Sequence, residues 1–151
     1  MQAARRSKSL AVTTNVGIEV LLEAQKQLAL ALVAQGAFGE AIKELKPVLE
    51  MEVERGETAA VAFVHGCLGS AYGALGRLPA SAHHLEQSRD RWQELNNKKE
   101  LSWVLNNLGM TYWQLGSDQA AKDTFAQCIA RSRESGNQRA CLLYTSPSPR
   151  D

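Results

Sequence analysis

Very little in this chain points to chemistry. Aromatic residues make up 6% of its 151 residues, and it holds only four prolines, three cysteines and three histidines. Its 17 basic and 16 acidic residues leave a net charge of +1, so it has no positive field with which to hold a nucleic acid. The cysteines, Cys67, Cys128 and Cys141, have neither metal-ligand spacing nor an even-numbered framework, and a reducing, cytoplasmic setting is the expectation. No apolar run approaches the ~18 residues of a membrane span.

Catalytic signatures are missing as well. There is no Gly-rich phosphate loop before a helix, no G-x-S-x-G and no H-E-x-x-H. His83 and His84 are adjacent, which on a helix turns them ~100° apart, so they read as solvent and groove-edge residues. His65 and Cys67 suggest a nucleophile and base, but no third residue is in place to orient them. Cys67 therefore reads as a partly buried thiol. Glu50, Glu52 and Glu54 alternate with basic residues as on a solvated helix face. No catalytic, metal or cofactor residue is expected, and the chain does not read as an enzyme.

What is abundant is helix-forming residue types, set out with a period. Shifting the chain by 40 lays Cys67–Ser88 over Asn107–Cys128, so that Leu68, Gly69, Tyr72, Leu75 and Gly76 meet Leu108, Gly109, Tyr112, Leu115 and Gly116. One step earlier, Leu28, Ala29, Leu32 and Gly36 take the same places. Gly36, Gly76 and Gly116 form one series at this spacing; Gly56, Asn96 and Gly136 form a second. Glycine, and next asparagine, tolerates the left-handed conformation that ends many helices. Each 40-residue unit therefore reads as two helices with a turn at each of these marks. In the third unit Leu105, Leu108, Tyr112 and Leu115 form one apolar stripe, and Ala121, Phe125, Cys128 and Ile129 form the other. Thr58 and Asn97 are positioned to cap first helices, Ser117 or Asp118 a second, and Pro79 suits a first turn. Pro47 is expected to kink the second helix of the first unit or delay its start.

These residues resemble the tetratricopeptide repeat (TPR) family. The likeness is carried by Leu108-Gly109-x-x-Tyr112, the small Ala121, then Phe125 and Cys128, and it extends over roughly residues 18 to 140. The period of 40 exceeds the family's usual 34, and the family's closing proline is absent. This matches its variants with lengthened helices. The resemblance implies an all-α solenoid of αα-hairpins wound into a right-handed superhelix, with three helix pairs and the start of a fourth. The units are 18–56, 57–96 and 97–136, with 137–140 opening the fourth. Residues 1–17 are either disordered or the last helix of a preceding repeat.

In this family the concave wall commonly binds a peptide or partner helix. By spacing, that wall is lined in the third unit by Trp103, Asn106, Met110, Trp113 and Gln114. In the second it is lined by Phe63, Gly66, Ser70, Gly73 and Ala74, and in the first by Glu23, Lys26, Leu30, Val33 and Ala34. Gly66 and Gly73 each cost ~1 kcal/mol of helix propensity against alanine, so something should approach the backbone there. Either a partner's bulky side chain enters a pocket above them, or Trp103 and Trp113 fill that space themselves. The expected function is a protein-interaction scaffold that takes a peptide or helix in its groove. The alternative is the sensing arm of a larger regulator whose effector domain lies elsewhere.

The end departs from the pattern. Where a fourth unit should continue, "CLLYTSPSPRD" (141–151) brings Pro147 and Pro149, which a helix interior excludes. This stretch resembles, residue for residue, the translation of a common sequencing adapter. It is set aside from functional reasoning, and the expectation is a fragment cut early in its fourth repeat. Such an end would leave unit three uncapped and available for self-association.

Overall fold

The computed structural model describes residues 2–136, with side chains from Thr14 onward. The six helices are α1 (Gln2–Ala34), α2 (Phe38–Arg55), α3 (Thr58–Ala74), α4 (Leu78–Glu94), α5 (Lys98–Gln114) and α6 (Asp118–Ser135). No strand occurs among the described residues.

The turns account for the period. Gly36, Gly56, Gly76, Gly116 and Gly136 have φ between 70° and 80°, and Asn96, with φ 52°, is the single non-glycine residue at positive φ among the described residues. All six positions are those marked by the two series in the sequence. Five of the turns carry the same pair of backbone bonds. At the first, Gly36 N–H reaches Val33 O at 3.0 Å and Ala37 N–H reaches Leu32 O at 2.8 Å. This pairing satisfies carbonyls that a helix end would otherwise leave open.

Helix starts are less uniform. Asn97 caps α5 by accepting the Glu100 N–H at 3.2 Å. Thr58 lies one residue too late to cap α3, whose cap position is Glu57 without a side-chain bond, and Ser117 at the start of α6 makes none either. Pro79 sits in the first turn of α4 as expected. Replacing Asn97 with alanine is expected to cost about 1 kcal/mol, read as a lower urea midpoint, while Thr58→Ala should leave the midpoint nearly unchanged.

Two expectations need correction. Pro47 lies inside α2, which begins at Phe38 and runs unbroken to Arg55, so there is no late start. Residues 2–17 are neither disordered nor a separate helix of an earlier repeat, because α1 continues through Gly17 to Ala34. The 40-residue spacing places a turn at Val16, and valine is β-branched and unsuited to positive φ. The expectations for 137–140 and 141–151 lie outside the described residues.

Each helix packs on the next in sequence, and the first helices also touch one another, α1 on α3 and α3 on α5, whereas the second helices α2, α4 and α6 do not. The stack is therefore a fan, closed on the side of the first helices and open on the other. Its core falls in two clusters. One joins Leu22, Leu45, Val48, Val64, Leu68 and Tyr72; the other joins Leu85, Trp92, Leu101, Val104, Leu105 and Leu108.

Hairpins close around glycine. A methyl group on Gly69 would stand 2.5 Å from Leu85 Cγ, and one on Gly109 would stand 2.7 Å from Phe125 Cε1. Hydroxyls tighten the same seam: Ser81 Oγ donates to Gly69 O and Ser88 Oγ to Ala62 O, both at 2.7 Å. Leu115, placed by spacing on a packing stripe, is instead exposed, because it lies in the turn after α5.

Candidate functional site: the face of the first helices

The groove residues expected from spacing lie on α3 and α5, but the two helices present different surfaces. Trp103 is 41% exposed. Asn106, Met110 and Trp113 are half-buried and Gln114 is exposed. On α3, Phe63 and Ser70 are half-buried, and Phe63 packs against both core clusters.

Gly66 and Gly73 do not form the open floor that their spacing suggested. A methyl on Gly66 would meet Trp103 Cζ3 at 3.0 Å and Ser88 Oγ at 3.2 Å, and one on Gly73 would meet Ser81 Oγ at 3.1 Å. Of the two alternatives, the tryptophan fills the place over Gly66, and a serine of α4, not Trp113, fills that over Gly73. One edge of the Trp103 ring is thus anchored on α3 while the rest of the indole faces out. Beside it, Asn106 Oδ1 is buried with no hydrogen-bond partner among the described residues. Buried acceptors are nearly always satisfied, so an open one on this face is a notable exception.

The first unit contributes charge. Between α1, α2 and the start of α3 lies an open depression of about 400 Å³ lined by Glu19, Glu23, Lys26, Glu52, Arg55 and Glu57. Glu52 is buried and held by Arg55 at 3.3 Å and Lys26 at 3.8 Å, while Arg55 also binds Glu19 at 2.8 Å. Hydrogen bonds from Gln27 and Lys26 keep the Glu23 carboxyl below the usual carboxylate range. The ion pairs lining it tie α1 to α2, with Lys26 and Arg55 each shared between two carboxylates.

A pair that the sequence reading separated is brought together on the α3–α4 seam. His65 Nδ1 and His84 Nδ1 are 3.0 Å apart, so one ring donates its N–H and the other accepts. Tyr72 stacks on His84 with ring centroids 5.4 Å apart and planes 7° from parallel. Burial, then the positive charges of His84, Arg91 and His83, push the His65 imidazole down to about 4. Burial also lowers His84, helped by His83 and Lys46. Both rings are therefore neutral at pH 7. His84 is thus no groove-edge residue, although His83 is exposed as expected.

A simple signal could have found the glycine contacts of the same seam. In an antiparallel hairpin, residues at similar distances before and after the turn face each other. Gly69 and Leu85 lie seven before and nine after Gly76, and Gly109 and Phe125 stand in the same relation to Gly116.

Chemically the seam is quiet. Burial, with Glu100 adding to it, raises the Cys67 thiol to about 12, so it is not a nucleophile at neutral pH. No group of three or more histidine, cysteine or acidic residues suited to a metal occurs among the described residues. No helix among them is long and apolar enough to cross a membrane.

Helix pairs stacked at a fixed interval, with one continuous face of first helices, define a helical-hairpin solenoid. The chain belongs to the tetratricopeptide repeat family, whose description matches residues 58–134. It is thus a repeat scaffold of the kind that mediates protein interactions, a class generally without enzymatic activity. No curated protein is significantly similar to it in sequence. Among solved structures it is similar to the nearly identical TPR-like repeats of a Podosopora anserina protein described as a kinesin light chain. That match has a TM-score of 0.65 and 22% identity over 76% of this chain and 56% of the other. It is also similar to BtubC (BKLC) from P. vanneervenii, with a TM-score of 0.58 and 17% identity over 84% of this chain and 61% of that one. The chain therefore spans less than two thirds of the length of either, and the likeness is one of fold.

Proposed function

We propose that this scaffold binds an extended peptide or a helix of a protein partner along the face of its first helices, with the surface of α5 as the anchor. The observation that carries the reading is Trp103. A large apolar side chain stands 41% exposed on a scaffold with few aromatics, held at one edge against Gly66. Met110 and Trp113 lie on the same helix face at helical spacing. Tryptophan and methionine are enriched where partners bury apolar side chains, the indole for its large rigid contact area and the thioether for its adaptable packing. Asn106 supplies the polar component: turning its amide outward would let the unpartnered oxygen accept a partner's main-chain N–H.

The test is selection of binders to the whole chain from a displayed library of random peptides. Recovered sequences should share a bulky apolar anchor, and Trp103→Ala should weaken their binding by about 30-fold, the effect of a central hot spot. Peptides that bind Trp103→Ala and Met110→Ala as tightly as the parent would sink the proposal.

A further inference from the structure

The charged depression beside α1 is particular to one place in the repeat. Glu19, Glu23, Glu52 and Glu57 line it with Lys26 and Arg55, four carboxylates against two cations. Shifted by 40, those positions become Ala59, Phe63, Trp92, Asn97, Gly66 and Leu95, none of them charged. The one charge that enters there, Glu100 in the place of Ala60, lies in the first turn of α5, where a carboxylate suits the helix dipole. The fold therefore does not need the six charges. Trp92, in the place of Glu52, is buried in the second core cluster and packs the equivalent junction without a carboxylate. Apolar packing commonly serves stability as well as a buried ion pair does, so the buried Glu52 points to a use other than stability.

Nor are the charges matched. Arg55 lies 2.8 Å from the exposed Glu19 but 3.3 Å from Glu52, and Lys26 lies 3.0 Å from the exposed Glu23 but 3.8 Å from Glu52. The buried carboxylate thus holds the longer contact of each shared cation. Glu57 pairs with no cation among the described residues. The depression also continues the face on which the α5 anchor stands. Glu23 and Lys26 occupy in α1 the places that Trp103 and Asn106 occupy in α5, and α1, α3 and α5 touch in that order.

From this we infer that the depression is a subsite for an arginine or lysine of the same extended partner that rests its apolar side chain on Trp103. The inference rests on the reading of α5 as the anchor. A cationic side chain supplies the positive charge that the six residues lack, and its methylene stem lies against Val20, which is 65% exposed, and Ala60. That apolar wall suits a long side chain and not a bare metal ion, which the two resident cations repel. First helices packed about 10 Å apart put the depression roughly 15 Å from the α5 anchor. At ~3.3 Å per extended residue, the basic residue falls about five positions from the apolar one.

Titration of library-selected peptides against the full chain, at low and high salt, tests the inference. The peptides should carry an arginine or lysine about five positions from their apolar anchor. Glu57 is exposed and makes no side-chain cap bond, so Glu57→Lys should keep the parent's circular dichroism and urea midpoint. It should nevertheless weaken binding about tenfold at low salt, and much less at high salt. The loss should disappear for a peptide whose basic residue is replaced by alanine. Peptides that depend on Trp103 but carry no basic residue at that distance, or bind Glu57→Lys as tightly as the parent, would overturn the inference and leave the α5 anchor standing. Peptides that depend on Glu57 and not on Trp103 would support the basic subsite and overturn the anchor.

Discussion

Gly69→Ala is expected to lower the unfolding free energy by about 3 kcal/mol, even though alanine is the better helix former by about 1 kcal/mol. The added methyl would stand 2.5 Å from Leu85 Cγ, 2.9 Å from Leu85 Cδ2 and 3.1 Å from the Leu85 backbone nitrogen. Leu85 is fully buried and has nowhere to go. The Gly69 carbonyl is also fixed by Ser81 Oγ, so α3 cannot slide away from α4 without losing a buried hydrogen bond. Gly66→Ala makes the contrast. Its closest neighbours would be the ring edge of Trp103 at 3.0 Å, the far end of a side chain with room to shift outward, and Ser88 Oγ at 3.2 Å. There the propensity gain offsets the crowding, and the change should stay within about 1 kcal/mol of the parent. Urea midpoints of the two variants, measured together, check both; equal destabilisation would show that the seam at Gly69 is not the tight one.

Acid should weaken the chain through its histidine pair. His65 is held near 4 in the folded protein against an ordinary value of 6.5, so the unfolded chain takes up the proton first as pH falls. Stability from the neutral ring is complete above pH 6.5, declines as pH falls toward 4 and is lost below that. A shift of this size corresponds to at most about 3 kcal/mol across the interval, less what solvent screening of the ring removes. His84 shifts in the same direction. The charged groups facing the pair, His83 and Arg91 from α4 and Lys46 from α2, are all basic and oppose a second positive charge. Carboxylates titrate over part of the same range, so the decisive comparison is with His65→Leu/His84→Leu. The double variant should lose stability more gently between pH 6.5 and 4 than the parent. Parallel slopes would mean that the pair is not the acid-sensitive element.

How much of this was legible depended on whether one chain segment or two decided the feature. The six turns were readable because a residue at positive φ is constrained by its own backbone, and Gly36 through Gly136 announce themselves at a fixed interval. Asn97 and Pro79 were readable for the same local reason. Features settled by a neighbouring helix were not. The glycines at 66 and 73 showed that something comes close, but not that Trp103 and Ser81 are what comes. His65 and His84 are 19 residues apart and meet only because the hairpin folds about Gly76. At α1 the ruler ran past its support. Gly17 lies near a marked position, yet a lone glycine with Val16 before it does not break a helix. Within the candidate site, Trp103, Met110 and Gln114 lie on the expected helix, while Gly66 and Gly73 belong to the packing seam.

The fan of helices also has a mechanical side. Its first helices touch one another and its second helices do not, so the touching layer acts as the neutral line of a bending beam. A bend that opened or closed the outer layer would change distances along the inner layer least. Trp103, Met110 and Trp113 lie on a first helix and so sit close to that line. The face of α5 that we propose as the anchor would then keep its place against α3 while the outer layer bends.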